Sequence, residues 1–216
     1  MVSRKSLSSM FSLLAWSVLA AICTVYGLYA LFTAFGLAET EKVRAFPLAF
    51  IMHALAGGIV LISGSLQFNS KVRRRFATLH RFCGRAYVIT ICIASPAGLL
   101  NAIYFDVGLS AKFSFIFLAV VWFATTFLGY QSIRSGRVRQ HREWMTRSFS
   151  LSFFFVTFSI WVPLLSSSSL SGHISYPLAV TISWTLNLAI AETLIRLRRH
   201  AVDRLETAPA TRPKNA

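Results

Sequence analysis

Apolar residues along this chain do not alternate with polar ones at the spacing of a half-buried strand or helix. They come in long blocks, and charged residues interrupt them only near the ends. Six blocks stand at about 10–36, 46–68, 86–105, 113–133, 148–170 and 176–195. Each is close to the ~20 residues that an α-helix needs to cross a ~30 Å hydrocarbon core. Lipid offers the backbone no hydrogen-bond partner, so blocks of this length are predicted as helices. The expected fold is an all-α membrane protein, a six-transmembrane-helix bundle over residues 1–199. A polar, disordered cytoplasmic tail is expected at 200–216. Pro96 and Pro163 fall inside the third and fifth blocks, where kinks are expected.

Composition agrees with this reading. Hydrophobic residues make up 55% of the 216 and charged residues only 13%, too little polar surface for a soluble domain of this size. The formal charge of +15 would suit a nucleic-acid binder, but its placement argues otherwise. Of 22 Lys and Arg residues, 19 lie in the two tails and the even-numbered gaps between blocks; only Lys42, Arg44 and Lys112 fall on the other side. This is a positive-inside pattern. It predicts a multi-pass protein of the inner (plasma) membrane with both termini cytoplasmic. The basic charge is assigned to topology and to anionic lipid headgroups, and nucleic acid is not an expected partner. The first block exceeds the ~7–15-residue core of a signal peptide and is read as a retained helix. Cys23, Cys83 and Cys92 form no CxxC pair and read as ordinary thiols. No Walker loop, HExxH, GxSxG or EF-hand loop is present.

Polar residues in or beside the blocks carry the candidate chemistry. His53 lies seven residues after Phe46, roughly 10 Å into the membrane at a rise of ~1.5 Å per residue. Gly57, Val60, Gly64 and Gln67 share its helix face. That face suits either a close helix seam with a hydrogen-bonded histidine or the approach of a flat ligand. His80, in LHRFCGRAY, and His141, in RQHREWMTRS, stand just before the third and fifth blocks. They are predicted at nearly the same depth on two helices that run the same way. Neutral imidazoles so placed can ligate the iron of a b-type haem, making His80 and His141 the candidate metal ligands. Arg81, Arg85 and Arg142 then suit the propionates, while Gly57 and Gly84, each four residues after a histidine, leave room. The same residues also suit a headgroup-level belt with Trp144. Asn187 is expected to hydrogen-bond between helices. Glu192 is expected to pair with Arg196 at i,i+4, as Glu143 with Arg147; a proton relay is the rival reading for Glu192. His173 and His200 are expected to be solvated.

Four stretches in fixed order, HALAGGIVLISGSLQF, LHRFCGRAY, HREWMTRS and WTLNLAIAETLIR, resemble the bacterial membrane family called domain of unknown function 2306, over about Phe46 to Arg196. The resemblance implies motif roles for His53, Gly57, Gly64, Gln67, His80, Arg81, Gly84, Arg85, Tyr87, His141, Arg142, Trp144, Met145, Arg147, Ser148, Asn187 and Glu192. It assigns no activity. The family pattern continues with an arginine inside the fifth span, where this chain has VTFSI. The layout is also similar to the cytochrome b561 group, six spans with two haems held by histidines of the four middle helices. That likeness implies His80 and His141 as one axial pair, with His53 at a second site or against a quinone. The fourth span, KFSFIFLAVVWFATTFLGYQSI, has no histidine to complete a second pair. Two functions follow as expectations. One is a haem b protein moving electrons across the membrane with a quinone or other redox partner, hence a haem-dependent membrane oxidoreductase. The other is a carrier, sensor or lipid-binding protein without a cofactor. No catalytic residue is assigned.

Overall fold

A computed structural model describes residues 4–35 and 47–207, and among them every regular element is a helix. α1 spans Arg4–Ala34, α2 Pro47–Gln67, α3 Ser70–Arg75, α4 Ala77–Tyr104, α5 Leu109–Arg134, α6 Val138–Ser152, α7 Phe154–Ser166 and α8 Gly172–Thr207. With α6 and α7 taken as one rod, six helices are long and apolar enough to cross a membrane. Their outward faces carry exposed Leu14, Val25, Ile89, Phe117, Val120 and Ile190, side chains that suit lipid contact.

The helices run past the apolar blocks. α4 begins at Ala77 and α6 at Val138, about two turns or more ahead of the expected starts near 86 and 148. The basic motifs LHRFCGRAY and HREWMTRS are therefore the first turns of their helices. Their Leu, Arg, Glu and Met residues are good helix formers, and helix continues where polar side chains emerge from lipid. The stretch expected as a disordered tail from His200 begins as helix, since α8 extends to Thr207. Residues 208–216 of that tail lie outside the described residues, as do Lys42 and Arg44.

The fifth span breaks at Phe153 rather than at Pro163. Just before the break, Ser150 Oγ donates to the Arg147 carbonyl (2.7 Å) and Ser152 Oγ to the Ser148 carbonyl (3.0 Å). Hydroxyls bonded back to the preceding turn loosen the helical ladder. The N–H of Val156 then reaches the Phe153 carbonyl at i−3, 3.1 Å away. Pro96, by contrast, sits within an α4 that continues to Tyr104, where Ser95 Oγ donates across to the Ala119 carbonyl of α5 (2.7 Å).

α2 packs most extensively on α4 and α1, α5 on α4 and α6, and α8 on α7, α6 and α5. The rods α2, α4, α5 and α6–α7 thus form the core, with α1 outside α2 and α8 on the other flank. Gly136, at φ 71°, closes α5. Its N–H reaches the Ile133 carbonyl (3.1 Å) while the N–H of Arg137 reaches that of Ser132 (2.9 Å), a Schellman turn that folds α6 back along α5. α1 and α2 meet backbone to backbone: a Cβ on Gly58 would stand 2.7 Å from the Gly27 carbonyl oxygen. Without a hydrophobic force between helices in lipid, such close approach is what holds them together.

The neighbouring glycine is its opposite, because a Cβ on Gly57 would meet nothing within 4 Å. Gly57→Ala is expected to leave the thermal midpoint of the detergent-purified protein unchanged or raise it, Ala being favoured over Gly in a helix by about 1 kcal/mol. Gly58→Ala is expected to destabilise by about 1–3 kcal/mol, because backbone must move to admit it. Equal midpoints for the two variants would refute the close α1–α2 approach.

Candidate functional site

Polar and small residues divide the bundle interior into two levels. At the level of His53 lies a half-open cavity of about 560 Å³, lined by all six rods. Its wall is mostly apolar and aromatic, and it reaches Phe105 and Val107 in the α4–α5 connection. This size and character match small-molecule sites, at ~300–1,000 Å³. His53 enters from α2 and lies in the notch left by Gly98 of α4, where a Cβ would come within 2.9 Å of the ring. Its Nδ1 is 2.8 Å from the Ala94 carbonyl oxygen. A carbonyl oxygen only accepts, so Nδ1 carries the hydrogen and Nε2 of the neutral ring remains an acceptor. Nε2 has no protein partner among the described residues. Gly57 lies on the same wall, one turn along.

Asn101 of α4 also lines this cavity. Its Nδ2 lies 3.5 Å from the Ala49 carbonyl oxygen, the outer limit of a hydrogen bond, and its buried Oδ1 has no hydrogen-bond partner. Asn101, Ser152 and Trp122 are cavity residues that the sequence reading did not single out. A lone asparagine in an otherwise apolar block was the available signal for Asn101.

Beyond the cavity, toward the basic end, hydroxyls join the core rods. Trp122 Nε1 donates to Ser152 Oγ (2.9 Å), and Tyr87 OH lies 2.9 Å from both Ser152 Oγ and Ser148 Oγ. Ser148 Oγ in turn lies 2.7 Å from Thr126 Oγ1. α4, α5 and α6 are thereby tied by a network whose members all have partners. Gly64 makes room for it, since a Cβ there would come within 2.9 Å or less of Phe149 and Tyr87.

The remaining motif residues are placed as follows. With its nitrogen turned toward His80, the Gln67 amide donates to His80 Nδ1 (2.7 Å) and to the His80 carbonyl (3.2 Å). A Cβ on Gly84 would stand 3.5 Å from this amide, an ordinary contact, so the glycine is not what makes room for it. His141 Nδ1 lies 2.8 Å from the Gly129 carbonyl, and Met145 packs where Gly129 lacks a side chain. Asn187 Nδ2 donates to Thr157 Oγ1 (3.0 Å), joining α8 to α7. Arg81, Arg85 and Arg142 are exposed.

Both carboxylates pair differently from the expectation. Glu192 bonds Arg147 of α6, with Nη2 to Oε2 at 3.1 Å, and not Arg196. Glu143 bonds Arg199 of α8 (Nε to Oε1 2.7 Å), with Arg139 of its own helix at 3.6 Å, and not Arg147. α6 and α8 are antiparallel, so the two ion pairs lie one above the other as a clamp. The i,i+4 reading failed because it considered each helix alone. Arg147 also stacks over the Trp144 ring at 4.5 Å, a cation–π contact that places Trp144 against α6 itself.

A histidine that holds a haem iron keeps a lone pair on one ring nitrogen while the other donates to a protein acceptor. His141 has the orientation of a ligating histidine, with Nδ1–H on a carbonyl and Nε2 left as a lone pair. His80 does not. Its Nδ1 accepts from Gln67, which puts the ring hydrogen on Nε2, the atom an iron would require. Neither histidine lines the cavity. Among the described residues, no group of three or more His, Cys, Asp or Glu side chains is placed to hold a metal ion.

HREWMTRS is thus used largely for packing, and its loss is expected to register first as instability. Ser148 is fully buried and serves Tyr87 and Thr126 together. Ser148→Ala is expected to lower the unfolding free energy by about 1–3 kcal/mol in a mixed-micelle denaturation series, since buried partners lose their bonds. Unchanged stability would show that this network does not hold the core.

No curated protein and no solved structure matches the chain. The profile of a family described as a predicted membrane protein (DUF2306) matches residues 50–195, from the end of the first turn of α2 well into α8. That match covers well over half of the sequence and includes His53, Gln67, His80, His141 and Glu192, so the chain belongs to the DUF2306 family of membrane proteins.

Proposed function

We propose that this protein binds a small, mostly apolar molecule inside the membrane, as a carrier or sensor without a resident cofactor. The observation that carries the reading is that His53 Nε2, on the wall of one apolar cavity, has no protein partner, and that the same wall buries a second unpaired acceptor, Asn101 Oδ1. A buried unpaired acceptor is costly, and a ligand that donates a hydrogen to it removes that cost. Two acceptors and an aromatic wall select an apolar body with a donor head, such as a phenol, an alcohol or a hydroquinol. An oxidised quinone presents only acceptors and suits the site less well than its reduced form. The basic end is taken as cytoplasmic by the positive-inside rule, which puts the cavity in the opposite half of the bilayer.

A b-type haem between His80 and His141 is the second reading, favoured by the orientation of His141. It requires Gln67 to turn its amide, so that His80 carries its hydrogen on Nδ1 and exposes Nε2. No electron-transfer step is derived from it.

The two readings separate on purified protein from cells supplied with haem precursor. The cavity reading expects a flat visible spectrum before and after dithionite. It also expects 4-propylphenol to raise the thermal midpoint more than 4-propylanisole, which has the same body without the donor. A loss of one hydrogen bond to a buried acceptor corresponds to about fivefold or more in affinity. Asn101→Leu is expected to narrow the phenol–ether difference, and Gly57→Leu to weaken both probes by filling the cavity. Equal affinity for phenol and ether in the unmodified protein would sink the donor-selective reading. A reduced b-type band lost in His80→Ala and His141→Ala would establish the haem.

A further inference from the structure

Two of the rods that line the cavity barely pack on one another. α1 contributes Tyr29, Ala30 and Thr33 to its wall, and α7 contributes Phe154, Phe155 and Phe158. Among the described residues, α1 lies along α2 and touches no other rod except α7, over a short stretch. On α2 it is held by the backbone approach at Gly27 and Gly58 and by Trp16 Nε1, which donates to the Ser65 carbonyl (3.0 Å). On α7 the contacts are of another kind. Tyr26 OH lies 2.6 Å from Ser159 Oγ, whose own hydrogen goes to the Val156 carbonyl (2.8 Å), so the tyrosine is the donor. The Phe155 ring stands edge-on to Tyr26 (centroids 5.9 Å, 85°) and lies loosely over Tyr29 (6.3 Å, 18°). Its neighbours Phe154 and Phe158 turn the other way, into a cluster with Phe115 of α5 and Tyr176 of α8.

Tyr29 and Phe155 thus form the cavity wall between α1 and α7, and both are also exposed. Exposed Val25, Phe32 and Ile160 flank this seam, which lies within the membrane-spanning stretches of both helices and so faces hydrocarbon. Phe155 stands two residues past the break at Phe153. A break of this kind lets the first turn of α7 shift without carrying α6 along. We infer, resting on the binding role proposed above, that the cavity takes a molecule dissolved in the bilayer, which enters and leaves sideways between α1 and α7. Phe155 is the gate, and the Tyr26–Ser159 bond is its latch. An apolar body with a single donor head collects in the bilayer, so its supply stands at the seam. Parting the seam there breaks one hydroxyl bond and two ring contacts, whereas parting α1 from α2 would undo a backbone-close packing. The rival route is the end of the cavity at Phe105 and Val107, in the α4–α5 connection, which leads to water.

The test puts a thiol in the cavity and needs no ligand. Gly57→Cys places it where a side chain meets no neighbour, with Cys23, Cys83 and Cys92 changed to Ala. The full chain in phosphatidylcholine vesicles is treated with N-phenylmaleimide, which dissolves in the bilayer, and labelling is followed by intact mass. Tyr26→Phe removes only the latch and is expected to speed labelling by about threefold, the worth of an average hydrogen bond between helices in lipid. Phe155→Ala is expected to speed it at least as much. Phe105→Ala widens the other end and is expected to leave the rate unchanged. Acceleration by Phe105→Ala as large as that by Phe155→Ala would overturn lateral entry. So would a rate that neither seam variant raises, or a thiol that the maleimide never reaches. Tyr26→Phe loses a single oxygen atom, so it carries the comparison if Phe155→Ala does not fold. The binding role fails separately. Equal affinity for phenol and ether, with the thiol still reached through the seam, would remove the donor-headed ligand and keep the route. Phenol selectivity, with the thiol reached past Phe105, would keep the site and remove the route.

Discussion

A polar group inside a bilayer has no water to bond to, and this constraint organises the whole bundle. Serine, threonine, tyrosine, tryptophan and histidine side chains must each find an acceptor or donor within protein. Some turn back on their own helix, and the serines before Phe153 bend the fifth span in doing so. Others reach across: Trp16 to the Ser65 carbonyl, Ser95 to Ala119, Trp184 to Ser114 and Asn187 to Thr157. The helices are thus fixed by bonds whose alternative is an unpaired group in hydrocarbon. Against this rule, the unpartnered Asn101 Oδ1 is informative, because among the described residues no other fully buried side-chain nitrogen or oxygen lacks a partner.

The architecture was legible in the sequence because it rests on long-range averages. A membrane-spanning helix needs only about twenty apolar residues in a row, and no pairing has to be guessed. Helix ends were less legible. LHRFCGRAY and HREWMTRS look like loop because they are charged, yet helix geometry continues through a change of solvent. A cross-helix bond was legible for Asn187 and as one reading of His53, but the identity of the partner was not. Glu192 has a tempting arginine at i+4, and only the antiparallel packing of α6 on α8 shows why it bonds Arg147 instead. Asn101 escaped notice for a related reason: whether a lone asparagine is satisfied depends on the neighbouring helix at its height, which periodicity does not report.

The histidines show how one residue type serves different ends. His53, His80 and His141 all sit beside or within apolar blocks, and sequence groups them. In the structure each is fixed by a different partner: a carbonyl for His53 and His141, a side-chain amide for His80. The partner decides which ring nitrogen keeps a lone pair and therefore what chemistry remains open to the ring. The motif histidine of α4 is occupied with joining α2 to α4, and that of α6 with holding α6 to the end of α5.

The open space beside Gly57 has a consequence for how such a protein changes over generations. Most positions around a binding cavity are also structural, so altering what fits usually weakens the fold. At Gly57 the two demands are separated, since an added methyl group points into the cavity and touches no neighbour. A side chain can grow there by a single substitution without a folding penalty, while at the adjoining Gly58 any side chain would meet the backbone of α1. Two consecutive glycines in one helix thus mark the boundary between what this scaffold must conserve and what it is at liberty to explore.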